Sequence, residues 1–67
     1  MNEKRQAIEA LKENGYQLDR SSGDHYFYWN EELKSEIPIS KGSKFDKNDK
    51  DRILQEIRQA KRRKGLK

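Results

Sequence analysis

Apolar residues recur at helical spacing in two segments near the ends of the chain, residues 3–14 and residues 47–63. Most other positions in both segments are charged or polar, which predicts two amphipathic helices. Their apolar positions are Ala7, Ile8 and Leu11 in the first segment, and Ile53, Leu54, Ile57 and Ala60 in the second. Asn2 and Asp46 are suitable N-caps, and Gly15 suits the left-handed position that follows the first helix.

Three short strands are predicted between the helices, at residues 16–21, 25–30 and 35–39. Side chains of the first strand point alternately to its two faces, so that Tyr16, Leu18 and Arg20 share one face. The second, His-Tyr-Phe-Tyr-Trp-Asn, has the highest strand propensity in the chain. Pro38 lacks the N–H group that a sheet ladder needs, which predicts an edge position for the third strand.

The predicted order α-β-β-β-α implies two hairpins and an antiparallel meander. Because both helices need an apolar surface to cover, we expect an α+β fold with a three-stranded sheet and both helices on one face. The other face of the sheet is then open to a ligand or partner. A chain of 67 residues has room for one domain, residues 1–67, with a basic C-terminal extension at about 61–67.

Alternation in the second strand permits two arrangements. Either Phe27 and Trp29 enter the core together with His25, or Tyr26 and Tyr28 do. In the second case, His25 and two aromatic rings occupy the open face, as in an RNA-stacking platform or a protein interface. The residues alone leave both arrangements open.

Charge is divided unevenly along the chain. Residues 1–33 carry four Lys or Arg against seven Asp or Glu, whereas residues 34–67 carry twelve against five. The basic half suits a polyanion such as RNA.

The chain has no cysteine and one histidine, which argues against a disulfide or a zinc cluster. With no apolar N-terminal run and no stretch of about 20 apolar residues, we expect a cytoplasmic protein without a membrane partner.

Four motifs follow one another in a familiar order. They are Gly15-Tyr16-Gln17-Leu18-Asp19-Arg20, Gly23-Asp24-His25-Tyr26-Phe27-Tyr28, Ile37-Pro38-Ile39 and Arg52-Ile53-Leu54. Together they make the chain similar to the HicA family of bacterial toxins, over about residues 5–58. This resemblance implies a fold like that of a double-stranded-RNA-binding domain. It also implies an mRNA-cleaving endoribonuclease that a HicB-like antitoxin protein neutralises.

The resemblance implies that His25 is the catalytic residue. It also implies that Tyr28 is buried, which favours the arrangement with His25, Phe27 and Trp29 on the open face. The chain departs from the family at two positions. Asp24 stands where family members usually have serine, and Ser40 stands where many have histidine.

RNA cleavage by an adjacent 2′-OH requires a proton acceptor, a proton donor and positive charge at the phosphate. Histidine is the residue type that titrates near neutral pH, so His25 is the predicted acid–base residue, and no metal or small-molecule cofactor is expected. Lys41 and Lys44, in the basic loop after the third strand, are predicted to neutralise the phosphate. Arg20 is a weaker candidate, because its alternation favours the core face. Phe27 and Trp29 are the candidates for base stacking.

Two other functions remain as alternatives. One is a non-catalytic RNA-binding module that contacts phosphates through the basic loop, the second helix and the tail. The other is a protein-interaction domain, whose binding would not fall steeply with added salt. The run Lys61–Lys64 is expected to be a solvated helix end more often than a phosphate contact.

Overall fold

A computed structural model of the protein describes residues 2–42 and 44–65, and its elements follow the predicted order α-β-β-β-α. They are α1 (Glu3–Glu13), β1 (Gln17–Ser22), β2 (His25–Asn30), β3 (Ser35–Ser40) and α2 (Lys47–Arg63). The strands form one antiparallel sheet in the order β1-β2-β3. The predicted α+β class and the edge position of the Pro38 strand are therefore confirmed. No helix in the described part of the chain is long and apolar enough to cross a membrane.

Both helices cover the same face of the sheet. The core combines side chains from both helices, from β2 and β3, and from the connections before β1 and after β2. Its buried members are Ala7, Leu11, Tyr16, Tyr28, Leu33, Ile37, Ile39, Ile53, Ile57 and Ala60. In β3 the residues that alternate with Ile37 and Ile39 are exposed, Pro38 among them. The helices therefore leave one sheet face uncovered.

The side chains that are buried beneath the helices show which face of β2 points to the core. Tyr28 is 5% exposed and pairs with Ile37 across the sheet, and Tyr26 packs against the core beside Ile39. Phe27 and Trp29 are half-buried on the other face. The arrangement that placed these two rings in the core is therefore wrong, because Tyr28 occupies the position that faces both helices. Burial raises the pKa of the Tyr28 phenol, and the neighbouring Tyr26 adds to this effect.

A β-bulge in β1 reverses the alternation that the sequence predicted there. Leu18 pairs with Tyr28, but the next pair is Arg20 with Phe27, so Asp19 has no partner across the strand. Arg20 consequently lies on the open face with Phe27. The prediction that Arg20 shares a face with Leu18 is wrong, because the extra residue shifts the side-chain parity by one.

Both predicted N-caps are confirmed. The Asn2 side chain accepts a hydrogen bond from the Arg5 amide at 3.1 Å. Asp46 and Asp49 form a reciprocal capping box at the start of α2, with N–O distances of 3.1 and 3.2 Å. α1 ends one residue earlier than predicted, at Glu13.

A buried asparagine connects α1 to the β2–β3 turn. Asn30 is 2% exposed, and its amide group donates to the Asn14 carbonyl at 2.7 Å while its side-chain oxygen accepts from the Leu33 amide at 2.8 Å. Gly15 lies directly against this amide, with φ of +90°, and a Cβ there would lie 3.0 Å from Asn30 Nδ2. The left-handed position predicted for Gly15 is thus confirmed, and it also allows the close approach to Asn30.

Two lysines connect the beginning of the chain to its second half. Lys50 of α2 forms a salt bridge of 2.8 Å with Glu3 and donates a hydrogen bond to Gln6 at 2.9 Å. Lys4 donates to the carbonyl oxygens of Lys41 and Gly42 at 3.0 and 2.7 Å. These contacts hold α1 against α2 and against the basic loop, whose Ser43 lies outside the described residues.

Candidate nucleic-acid interface

Three side chains of β2 line the open face in sequence, His25, Phe27 and Trp29. Each has a neighbour on either side from the flanking strands. The cross-strand partners are Ser22 and Ser40 for His25, Arg20 and Pro38 for Phe27, and Gln17 and Glu36 for Trp29. The candidate site is therefore a row of one imidazole and two aromatic rings, bordered by polar and charged residues and by Pro38.

His25 is the first residue of β2 and is exposed. It follows a two-residue turn in which Gly23 has φ of +54°, the left-handed conformation that glycine adopts without steric cost. The turn is tied to the basic loop, since the Asp24 carbonyl accepts a hydrogen bond from the Lys41 amide at 2.7 Å. The imidazole thus sits at the end of the sheet, where a ligand can approach it from solvent.

The nearest ring to His25 on this face belongs to Phe27. The two ring centroids are 6.2 Å apart and the planes are tilted by 35°. This spacing is within the range of favourable aromatic contacts. The imidazole and the phenyl ring therefore form a continuous surface at the end of the open face.

Arg20 lies over the same phenyl ring. Its guanidinium carbon is 4.4 Å from the Phe27 ring centroid, a cation–π contact. The same guanidinium forms a salt bridge of 2.9 Å with Glu36 of β3 and a longer one of 3.5 Å with Asp19. Arg20 thereby crosses the central strand and joins the two edge strands over Phe27.

Trp29 is anchored at the far end of the row. Its indole N–H donates to Glu31 at 3.0 Å, and Glu31 also forms a salt bridge with Lys34. Hydrogen bonds from Lys34 and Trp29, together with the positive charge of Lys34, hold the pKa of the Glu31 carboxyl below its usual 4.5. The indole N–H is thus bonded to a carboxylate that stays ionised to lower pH than an ordinary glutamate does.

Of the two lysines predicted to neutralise a phosphate, Lys41 contacts an aromatic ring on the opposite face of the sheet from His25. The Lys41 ammonium is 4.9 Å from the Tyr26 ring centroid, and Tyr26 alternates with His25 and Phe27 along the strand. The Lys41 side chain is therefore directed towards the helix-covered side of the sheet. Lys44 is exposed in the connection before α2. The structure brings Arg20, not Lys41, to the row that contains His25.

A second basic surface lies on the last two turns of α2. After Glu56, every charged residue in the described chain is positive, namely Arg58, Lys61, Arg62, Arg63 and Lys64. Among residues 2–42 and 44–65, none of these five forms an ion pair. Lys61 to Arg63 are helical and Lys64 is the C-cap, while Leu66 and Lys67 of the predicted extension lie outside the described residues.

Sequence reasoning did not identify Glu36 and Asp19 as partners of Arg20. The opposite charges were visible, but pairing Arg20 with Glu36 requires the bulge, which no sequence signal indicated.

The Asp, Glu and His side chains described by the structure contain no group of three that could hold a metal ion.

No protein-family model matches this chain, and neither a curated protein nor a solved structure does. The resemblance to HicA toxins and the likeness to double-stranded-RNA-binding domains therefore stay predictions.

Proposed function

We propose that the protein is an endoribonuclease that cleaves mRNA without a metal, with His25 as its acid–base residue. The observation that carries the proposal is the exposed imidazole at the start of β2, on the face without helices and 6.2 Å from the Phe27 ring. A histidine in this position is open to a ligand, and an aromatic ring is available beside it. The HicA-like order of motifs supports the same residue.

In the proposed reaction, His25 removes the proton from a ribose 2′-OH, and the resulting oxygen attacks the adjacent phosphorus. The bond from phosphorus to the 5′-oxygen of the next nucleotide breaks. The departing oxygen takes the proton from the imidazolium. The products are a 2′,3′-cyclic phosphate and a free 5′-OH, and the enzyme returns to its starting protonation state.

Charge distribution supports RNA as the ligand. Residues 34–67 carry twelve Lys or Arg against five Asp or Glu, and the last two turns of α2 with its C-cap carry five positive residues. Contacts between such residues and phosphates supply affinity that depends strongly on salt. We propose that these cations bind the RNA backbone outside the open face, and that a HicB-like antitoxin neutralises the protein by covering the row from His25 to Trp29.

A second candidate, a non-catalytic RNA-binding module, is favoured by the neighbours of His25. Its cross-strand partners are Ser22 and Ser40, whose hydroxyls do not titrate near neutral pH. One imidazole must then both accept and donate the proton, which predicts slow turnover.

The experiment compares the native protein, His25→Ala and Glu13→Gln on labelled mRNA fragments in EDTA. Glu13 is exposed at the end of α1 and serves as a control for handling and fold. We expect cleavage with cyclic phosphate ends from the native protein and the control, and none from His25→Ala. Intact RNA with every protein, despite binding, would establish the non-catalytic module. Equal cleavage by His25→Ala would remove His25 from the mechanism.

A further inference from the structure

The Arg20 guanidinium is held on the open face by two kinds of contact. It stacks 4.4 Å from the Phe27 ring centroid, and it pairs with Glu36 at 2.9 Å. Its side chain is nevertheless 55% exposed. The group is therefore ordered by its neighbours and still accessible from solvent.

An exposed ion pair of this kind is easily exchanged, because water and salt screen both of its partners. Guanidinium has five N–H donors in a planar arrangement that matches a phosphate as well as a carboxylate. The Glu36 carboxylate thus occupies a position that an RNA phosphate can take. The stacking on Phe27 is independent of Glu36 and would keep the guanidinium in place during such an exchange.

We propose that Arg20 and Phe27 form a nucleotide-binding subsite beside His25, in which Glu36 holds the phosphate position until RNA displaces it. The inference rests on the proposed function, because it takes RNA as the ligand of the open face. Arg20 binds the phosphate next to the nucleotide that reaches His25, and Phe27 holds the guanidinium in place. Glu36 competes with the ligand and lowers its affinity.

This arrangement makes a specific prediction about Glu36→Gln. Neutralising the carboxylate removes the shorter ion pair of Arg20 and leaves the longer one with Asp19 at 3.5 Å. RNA affinity therefore rises by about two- to fivefold, the range expected for one exposed ion pair. General repulsion between RNA and any carboxylate also contributes to such a rise. Glu32→Gln measures that part, because Glu32 is an exposed carboxylate in the turn after β2 and carries the same charge change.

Four proteins test the subsite, all with His25→Ala so that the RNA remains intact. They are the His25→Ala parent and the same protein with Glu36→Gln, with Arg20→Gln, or with both. Binding of a labelled single-stranded RNA is followed by fluorescence anisotropy over a range of salt concentrations, with Glu32→Gln as the charge control. Circular dichroism confirms that each variant is folded, and a gel confirms that the RNA is uncut.

We expect Glu36→Gln to raise affinity more than Glu32→Gln does, and to lose this advantage when Arg20→Gln is also present. The slope of log affinity against log salt should steepen by at most about 0.7 with Glu36→Gln, the value for one phosphate contact on single-stranded RNA. In the parent, Arg20 gives up its ion pair with Glu36 when it meets the phosphate, and this exchange offsets the release of one counterion. An equal gain with and without Arg20, or a gain no larger than that of Glu32→Gln, would overturn the subsite.

These outcomes are separable from failure of the nuclease proposal. A coupling between Arg20 and Glu36 in binding supports the subsite even if the native protein cuts no RNA. Cleavage that depends on His25, without any coupling, leaves the nuclease intact and removes the subsite. Absence of RNA binding by every variant would overturn both.

Discussion

Replacing Asn30 by alanine should severely destabilise the protein. The change removes two short hydrogen bonds, from Asn30 to the Asn14 carbonyl and from the Leu33 amide to Asn30. It also leaves the Leu33 N–H and the Asn14 carbonyl without these partners in a largely dry environment. No water can replace the side chain easily, since Asn30 is only 2% exposed.

The expected loss in the free energy of unfolding follows from the burial and hydrogen bonding of these groups. A hydrogen bond contributes about 1 kcal/mol net, and each buried polar group left unsatisfied costs about 1–3 kcal/mol. Because the Asn14 side of the contact is only partly buried, we expect a loss of about 2–4 kcal/mol in the free energy of unfolding. A domain of this size has about 3–10 kcal/mol in total. The variant should therefore lose a large part of its stability.

Thermal and urea unfolding followed by far-ultraviolet circular dichroism would measure this loss. At roughly 4–8 °C per kcal/mol, the midpoint temperature should fall by about 10–30 °C. Asn48→Ala is the matched control, because Asn48 is exposed on α2, and its effect should stay within about 0.5 kcal/mol. If Asn30→Ala loses no more than the control, the hydrogen bonds of Asn30 do not hold α1 to the β2–β3 turn and the reasoning fails.

Two further predictions concern Trp29 and Gly15. Trp29 fluorescence should change with an acid midpoint below pH 4.5, because Glu31 accepts the indole hydrogen bond and its pKa is lowered by Lys34 and Trp29. Because the pKa is lowered, the stabilising contact is complete above the usual carboxyl pKa and is lost as the pH falls through the pKa of Glu31 in the folded protein. The same fluorescence transition in Glu31→Gln would contradict this assignment. Gly15→Ala should cost more stability in urea unfolding than Gly23→Ala. Both glycines have positive φ, which costs alanine about 1–2 kcal/mol, but only at Gly15 does the new Cβ meet a buried group, and equal losses would refute that contact.

The order and type of the elements were predictable because local signals determine them. Helical spacing, the Asn2 and Asp46 caps and the Gly23 turn all act within a few residues, and each agrees with the structure. The face of β2 was not predictable from the residues, because aromatic side chains occupy both parities. Packing decides it, since Tyr28 belongs to a buried cluster whose other members come from both helices and are distant in sequence.

The candidate site was predictable only in part, for a related reason. All six residues of β1 are exposed, so no apolar alternation indicated the bulge that turns Arg20 to the open face. The stacking of Lys41 on Tyr26 likewise depends on the tertiary position of the basic loop. His25 was identified because it is the single histidine and falls at the end of a strand. Its partners on the face required the strand register.

The contact between α1 and α2 has a consequence for how the chain reaches its fold. Each strand pairs only with its neighbour in sequence, so both hairpins close short loops at little entropic cost. Packing α1 on α2 instead joins the two ends of the chain, and the Glu3–Lys50 salt bridge spans this closure. Most of the loop-closure entropy is therefore concentrated in one step. We therefore expect the contact between the first and last elements to limit the folding rate more than the two hairpins do.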